Sequence, residues 1–179
     1  MFPNTLLLLA LAATGLCQSD SPRTVYLTST QDPKFVIVPK ARTAGSALVV
    51  QQTTSSPTQT WLLTAPSNST SIRLASTTLC IDAGPRSGWK DMALLYVREC
   101  AAVGTANEQQ TWITMADGRI ALAASSGTRL CVDLQYIKAV QNNPVGMYNC
   151  AGLGNIGAQD KGLNWPMVDF KSSQSAWTA

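Results

Sequence analysis

Leu79-Cys80-Ile81-Asp82-Ala83-Gly84 and Leu130-Cys131-Val132-Asp133-Leu134 are two versions of one phrase, and the continuation of each decides the fold. The first leads to Ala93-Leu94-Leu95-Tyr96-Val97-Arg98-Glu99-Cys100 and then to Gln110-Thr111-Trp112. The second leads to Pro144-Val145-Gly146-Met147-Tyr148-Asn149-Cys150 and then to Leu163-Asn164-Trp165. Toward the N-terminus lies a third version: Phe35-Val36-Ile37-Val38, Ala47-Leu48-Val49-Val50-Gln51-Gln52, then Gln59-Thr60-Trp61. It lacks both half-cystines and the aspartate. The tryptophans recur at about 50 residues, a period that marks structural repeats. The repeats fall at about 23–66, 70–116 and 119–170.

Within each repeat the apolar runs are short and rich in β-branched residues. Turn formers bound them: Asp32-Pro33, Ser56-Pro57, Gly84-Pro85, Asp117-Gly118, Ser126-Gly127 and Asn143-Pro144. This punctuation predicts an all-β domain, and no segment keeps a helical apolar stripe over three turns. A unit of about 50 residues buries little core alone. Three units can share one core, with Trp61, Trp112 and Trp165 among its largest contributions, each worth roughly 2–3 kcal/mol of apolar transfer.

The chain is 45% hydrophobic and only 13% charged, with 13 Lys and Arg against 10 Asp and Glu. A small, scattered net charge of +3 argues against a nucleic-acid binder working through a dense basic face. The length suits one domain. The absence of histidine removes the commonest general base and the commonest metal ligand.

Residues 1–17 carry no charged side chain; an apolar run, Leu6 to Ala13, is followed by the small residue Gly15. The pattern is that of a signal peptide, and the run is short of the roughly 20 residues a membrane span needs. The expectation is a secreted mature chain, 18–179, as a single domain with no membrane span. Cleavage after Gly15 or after Cys17 both fit a small-residue rule; cleavage after Cys17 leaves Cys80, Cys100, Cys131 and Cys150, an even number that reads as two disulfides in an oxidising compartment. Close pairs of the zinc type are missing. Four cysteines allow three pairings, and the repeat selects Cys80–Cys100 and Cys131–Cys150. Each closes a loop of about 20 residues, worth roughly 3 kcal/mol in the chain-entropy picture.

The Gln-x-Trp triplets, the Cys-Ile-Asp and Cys-Val-Asp phrases and the cysteine spacing resemble the ricin B-chain-type lectin domain over about residues 23–170. The third triplet departs from the pattern, with Leu163 in place of glutamine. The resemblance implies a β-trefoil, three four-stranded repeats around a pseudo-threefold axis, and it implies carbohydrate binding. In the family's pattern a carboxylate follows the first half-cystine, an aromatic stands two residues before the second, and an Asn-Gln pair sits at the Gln-x-Trp. Those groups suit a sugar, which needs an aromatic face for its C–H side and a carboxylate with an amide for its hydroxyls.

Carried over residue by residue, the second repeat supplies Asp82 and Gln109-Gln110 but has Arg98 at the aromatic position. Tyr96 lies two residues earlier and shares its face by the strand period, and Trp89 is a substitute platform. The third repeat supplies Asp133 and Tyr148. Its amide pair is replaced by Gly162-Leu163, with Asn164 and Asp160 close by in sequence. The first repeat has neither carboxylate nor aromatic, so no site is expected there. The plainer alternatives are that Asp82 and Asp133 cap local turn amides, that Gln110 and Trp112 are framework, and that Tyr148 is wall packing. Trp89 is then a loop aromatic and Arg98 a solvated strand residue.

Signatures of catalysis are missing: no histidine-based pair, no G-x-S-x-G, no P-loop, no H-E-x-x-H. Asp82 and Asp133 belong to different repeats, too far apart for the roughly 5–10 Å of a glycosidase pair. The expectation is a protein that is not an enzyme, with no cofactor and no metal site. Asn68-Ser69-Thr70 is a glycosylation sequon that marks Asn68 for a glycan if the source is eukaryotic; the plainer alternative is an unmodified Ser/Thr-rich linker. The function expected is a secreted carbohydrate-binding protein with one or two shallow, partly degenerate sites. The alternative is a secreted β-trefoil protein binder or protease inhibitor, inserting the loops 83–91 and 135–145 with Trp89 and Tyr136.

Overall fold

The computed structural model describes residues 22–63, 69–102, 105, 107–125, 129–150 and 160–171. The expected leader at 1–17 and the sequon asparagine Asn68 lie outside the described residues. Among the described residues twelve strands succeed one another: β1 (Arg23–Leu27), β2 (Phe35–Pro39), β3 (Leu48–Gln52), β4 (Trp61–Leu63), β5 (Ile72–Leu74), β6 (Leu79–Asp82), β7 (Tyr96–Glu99), β8 (Trp112–Thr114), β9 (Ile120–Leu122), β10 (Leu130–Leu134), β11 (Val145–Asn149) and β12 (Met167–Asp169). Single 3-10 turns at Pro57–Gln59, Arg86–Gly88 and Gln135–Ile137 complete the regular elements among the described residues.

Six strands close a ring. β12 pairs with β1, β1 with β4, β4 with β5, and β8 with β9, all antiparallel. Single bridges, Thr70↔Trp112 and Arg119↔Asn164, close the two remaining gaps. The other six strands form three hairpins, β2-β3, β6-β7 and β10-β11. The hairpins touch one another through the bridges Ala47↔Tyr96, Leu94↔Gly146 and Val49↔Pro144. A barrel of six strands capped by three hairpins, each unit contributing four strands, is a β-trefoil. Closure also removes the exposed edges that an open sheet of such short strands would present.

Trp61, Trp112 and Trp165 are fully buried and share one apolar core with residues from all three units. Each indole N–H donates to a carbonyl of its own unit's second strand: to Ile37 at 2.9 Å, Ile81 at 3.1 Å and Val132 at 3.0 Å. A buried indole thus keeps its one polar atom satisfied. The three bonds also define equivalence. Ile37, Ile81 and Val132 face Val50, Val97 and Met147 across their hairpins. It follows that Val38, Asp82 and Asp133 are equivalent, and so are Gln51, Arg98 and Tyr148.

Both disulfides form in the pairing the repeat selects, Cys80–Cys100 and Cys131–Cys150. In the first unit Val36 holds the position of Cys80 and Cys131. There Val36, Val38 and Val49 pack as a small separate cluster against Tyr26. Apolar packing replaces the covalent staple on that hairpin.

Candidate functional site

The equivalent position after each second-strand core residue carries valine once and aspartate twice. Asp82 lies at the end of β6, opposite Tyr96 in register, with Arg98 the diagonal neighbour on the same face. Asp133 lies one residue before the end of β10, opposite Gly146, with Tyr148 the diagonal neighbour. Diagonal pairs across an antiparallel ladder are within reach of long or aromatic side chains.

The Asp82 carboxylate is 1% exposed and surrounded by donors. Oδ1 accepts the Gly84 amide at 2.7 Å, and Oδ2 accepts the Gln110 side-chain amide at 2.9 Å. The Arg98 guanidinium stands 3.4 Å from Oδ1 and lies over the Tyr96 ring, 6.0 Å from its centroid. Tyr96, Arg98, Asp82 and Gln110 are therefore one cluster, as the sequence suggested, but a cation of the chain covers its carboxylate. Gln109 gives its carbonyl to the Ala83 amide at 2.9 Å and is half-buried beside Gln110.

Gln110 has a second duty. Its Nε2 also donates to the Glu99 carbonyl at 3.0 Å, and its Oε1 accepts the Ala101 amide at 2.9 Å. Gln59 does the same in the first unit, binding the Gln52 carbonyl and the Thr54 amide. The glutamine of Gln-x-Trp thus clamps the end of the third strand to the start of the fourth. In the third unit Leu163 fills that place and packs on Cys131 and Cys150. A disulfide contact there stands in for a polar clamp.

Asp133 is 7% exposed. Among the described residues no donor lies within hydrogen-bonding distance of its carboxylate. Burial, then the Asp160 and Asp91 carboxylates, push its pKa up to about 7. Asp160 and Asp91 are held in turns: Asp160 Oδ1 accepts the Gly162 amide, and Asp91 Oδ1 accepts the Asn149 amide, both at 2.8 Å. Gly162 is required by proximity. A Cβ on it would sit 2.8 Å from Asp133 Oδ1 and 3.3 Å from Asp160 Oδ1. The glycine replacing the first amide of the pair therefore makes room for two carboxylates. Tyr148, 42% exposed, is the diagonal neighbour of Asp133 across the ladder.

Asn164 goes elsewhere. Its Nδ2 donates to the Asp117 carbonyl at 2.7 Å, and its buried Oδ1 has no partner among the described residues. It lies against the Asp117-Gly118-Arg119 turn. That turn holds a pair which the sequence reading missed. Arg119, almost fully buried, binds Asp117 at 2.7 Å and the Cys150 carbonyl at 2.9 Å. Only the Asp-Gly-Arg turn signal hinted at it. Arg119 holds the Asp117 carboxyl below the usual carboxylate range, against a burial effect of opposite sign.

The two loops of the alternative reading differ. Trp89 is half-buried against the core. Its indole N–H donates to the Gly84 carbonyl at 2.9 Å, and Arg86 covers its ring at 5.2 Å. It braces its own loop. Tyr136 is 69% exposed, and both Tyr136 and Ile137 hold positive φ, 59° and 52°. Among the described residues no group of three His, Cys, Asp or Glu side chains is arranged to hold a metal ion, and no helix is long and apolar enough to cross a membrane.

No protein-family model matches the chain, and no curated protein matches it by sequence. Solved structures do match. A designed threefold-symmetric protein, ThreeFoil, superposes with a TM-score of 0.62 at 16% identity, covering 82% of this chain and 98% of that one. The C-half of an earthworm R-type lectin, solved in complex with GalNAc, gives 0.61 at 14% identity over 82% and 98%. The β-trefoil lectin of the Vibrio vulnificus hemolysin/cytolysin, solved with N-acetyl-D-lactosamine bound, gives 0.58 at 16% identity over 85% and 98%. At such identities the likeness establishes the β-trefoil fold.

Proposed function

We propose that this β-trefoil is a secreted carbohydrate-binding protein of the ricin B-chain type, with its working sugar site in the third repeat. The leader is residues 1–17, and residues 18–179 form the single domain, with repeats at about 23–66, 70–116 and 119–170. The observation that carries the reading is the contrast in acceptor capacity. Among the described residues the Asp133 carboxylate meets no donor, and an exposed tyrosine is its diagonal neighbour across the ladder, whereas Asp82 is already bonded on both oxygens. A sugar hydroxyl offers Asp133 the hydrogen bond that the chain withholds, and the Tyr148 ring offers its face to the apolar side of the sugar. Asn164, tied to the Asp117 turn, anchors the segment that carries Gly162. The second-repeat group, Asp82, Tyr96, Gln109 and Gln110, is the lesser site, restricted by Arg98. Carbohydrate in two of the matching structures supports the same reading.

A glycan array on the mature protein, with Asp133→Ala and Tyr148→Ala beside it, tests this. The expected result is binding to a defined set of neutral glycans that both substitutions abolish. Binding that survives both, or an array that is blank for the wild-type protein, overturns the third-repeat site.

One observation favours a second reading. Tyr136, Ile137 and Val140 are all exposed along one short loop, which suits insertion into a protein partner such as a protease. Trp89, fixed to Gly84, does not serve that role. Protease inhibition lost in Tyr136→Ala, with the glycan array blank, selects this reading over the first.

A further inference from the structure

Between the β2–β3 loop of the first unit and the β5–β6 turn of the second lies a groove of about 640 Å³. Arg42, Thr43, Arg73, Ser76 and Thr78 line it. Arg42 is fixed by neutral acceptors: Nη1 donates to the Thr58 carbonyl at 2.5 Å and Nη2 to the Ala75 carbonyl at 2.8 Å. Those bonds orient the guanidinium without cancelling its charge, and three of its five N–H donors stay open. Among the described residues no carboxylate lies within 4 Å of Arg42 or of Arg73. Glu99 stands on the rim, one negative charge against two positive ones.

The pseudo-threefold symmetry supplies a control within the molecule. The equivalent groove one unit on is lined by Arg86, Trp89, Lys90, Asp91, Ala124 and Ser125. Arg86 occupies the place of Arg42, four residues after Asp82 as Arg42 is four after Val38. There the guanidinium is neutralised by Glu108 at 2.5 Å and stacked on Trp89. Arg73 faces Cys80 in register, as Ala121 faces Cys131. The second guanidinium of the first groove therefore stands where the next groove has a buried alanine. In the first groove the neutralising partner is missing and a further positive charge is added. Thr43, Ser76 and Thr78 line the same groove, and their hydroxyls engage no described residue.

We propose that this groove is an oxyanion subsite that takes a sulfate ester or a carboxylate carried on an acidic polysaccharide. The two guanidiniums bind the oxyanion through charge-assisted N–H donors, and the hydroxyls complete its shell. The oxyanion chemistry stands on the groove alone; that a saccharide carries it rests on the carbohydrate reading above.

The test is titration of the full mature protein with three probes: a chondroitin sulfate oligosaccharide, a hyaluronan oligosaccharide bearing carboxylates only, and neutral dextran. Arg73→Gln is the main variant, since Arg73 makes no bond whose loss would disturb folding. Arg86→Gln is the charge-matched control in the other groove. The expected result is binding of one or both acidic probes and not of dextran, weakened about tenfold or more in Arg73→Gln and unchanged in Arg86→Gln. Binding of both acidic probes marks a general oxyanion site, and binding of the sulfated one alone marks a sulfate site. Equal losses in the two variants reduce the effect to net charge and overturn the proposal, as does acidic-probe binding that ignores Arg73 or is absent. A protein blank for neutral glycans yet binding acidic probes through Arg73 separates failure of the third-repeat site from failure of this groove.

Discussion

Asp82 and Asp133 occupy the same position of two repeats and live in opposite electrostatic surroundings. Around Asp82 the chain places a backbone amide, a glutamine amide and an arginine. Around Asp133 it places two further carboxylates and a glycine that leaves space. One carboxylate is part of the framework; the other is buried at a cost that no donor among the described residues offsets. A structure built only for stability gains nothing from the second arrangement.

The sharpest test of the contrast is stability against pH, where the largest effect is expected. The folded pKa of Asp133 is about 7, against 3.8 for the free side chain. Between those values the folded state holds a proton that the unfolded state has released. Stability therefore falls as pH rises from about 4 to about 7, then levels off, by at most about 4 kcal/mol. Asp133→Asn removes this fall. Urea unfolding of both proteins between about pH 4 and pH 8 measures it, and parallel curves would refute the assignment.

Asp82→Ala comes next. Loss of this carboxylate strands the Gln110 and Gly84 donors in a buried place and costs about 3 kcal/mol. Asp133→Ala at pH 8 is expected to leave stability unchanged or raised. Urea midpoints for the pair check the contrast; an Asp82→Ala protein within about 1 kcal/mol of wild type breaks it. A smaller step of the same kind compares the two glutamine clamps. Gln110→Leu is expected to cost about 2 kcal/mol and Gln59→Leu about 1 kcal/mol, because only Gln110 also binds the aspartate. Equal costs would mean that the Asp82 contact contributes nothing.

The fold was legible because its markers are large or covalent. Three indoles at a fixed period and two cysteine pairs in register leave few alternatives, and even the unit without cysteines was readable from Trp61 and its flanking apolar runs. The residues of the site were legible as types, not as environments. Asp82 and Asp133 close the same phrase in the sequence, and nothing local says that one will be bonded on both oxygens and the other left open. That difference comes from residues far along the chain, Arg98 and Gln110 in one case, Asp91, Asp160 and Gly162 in the other. Asn164 shows the same limit. Proximity in sequence to Gly162 suggested a pocket residue, but the bridge to Arg119 sets its side chain against the Asp117 turn. Arg119 was invisible because its carbonyl acceptor, Cys150, arrives only when the disulfide-bonded hairpin of the third unit closes over it.

The smallest expected change in stability is also the most informative about binding. Arg98 is half-exposed and 3.4 Å from Asp82, so Arg98→Tyr is expected to cost about 0.5 kcal/mol. It removes the cation over the carboxylate and gives the second repeat the residue that Tyr148 supplies in the third. A carboxylate has about four acceptor sites, and the Gly84 and Gln110 amides use two. If Arg98 is what closes the second repeat, adding Arg98→Tyr to Asp133→Ala restores glycan binding. The restored affinity is expected about tenfold below that of the third-repeat site, because Asp82 shares its charge with two internal donors. Calorimetric titration with the glycans bound by the wild-type protein measures this. A double variant that stays blank places the closure of the second repeat in the Gly84 and Gln110 bonds, which no surface substitution undoes.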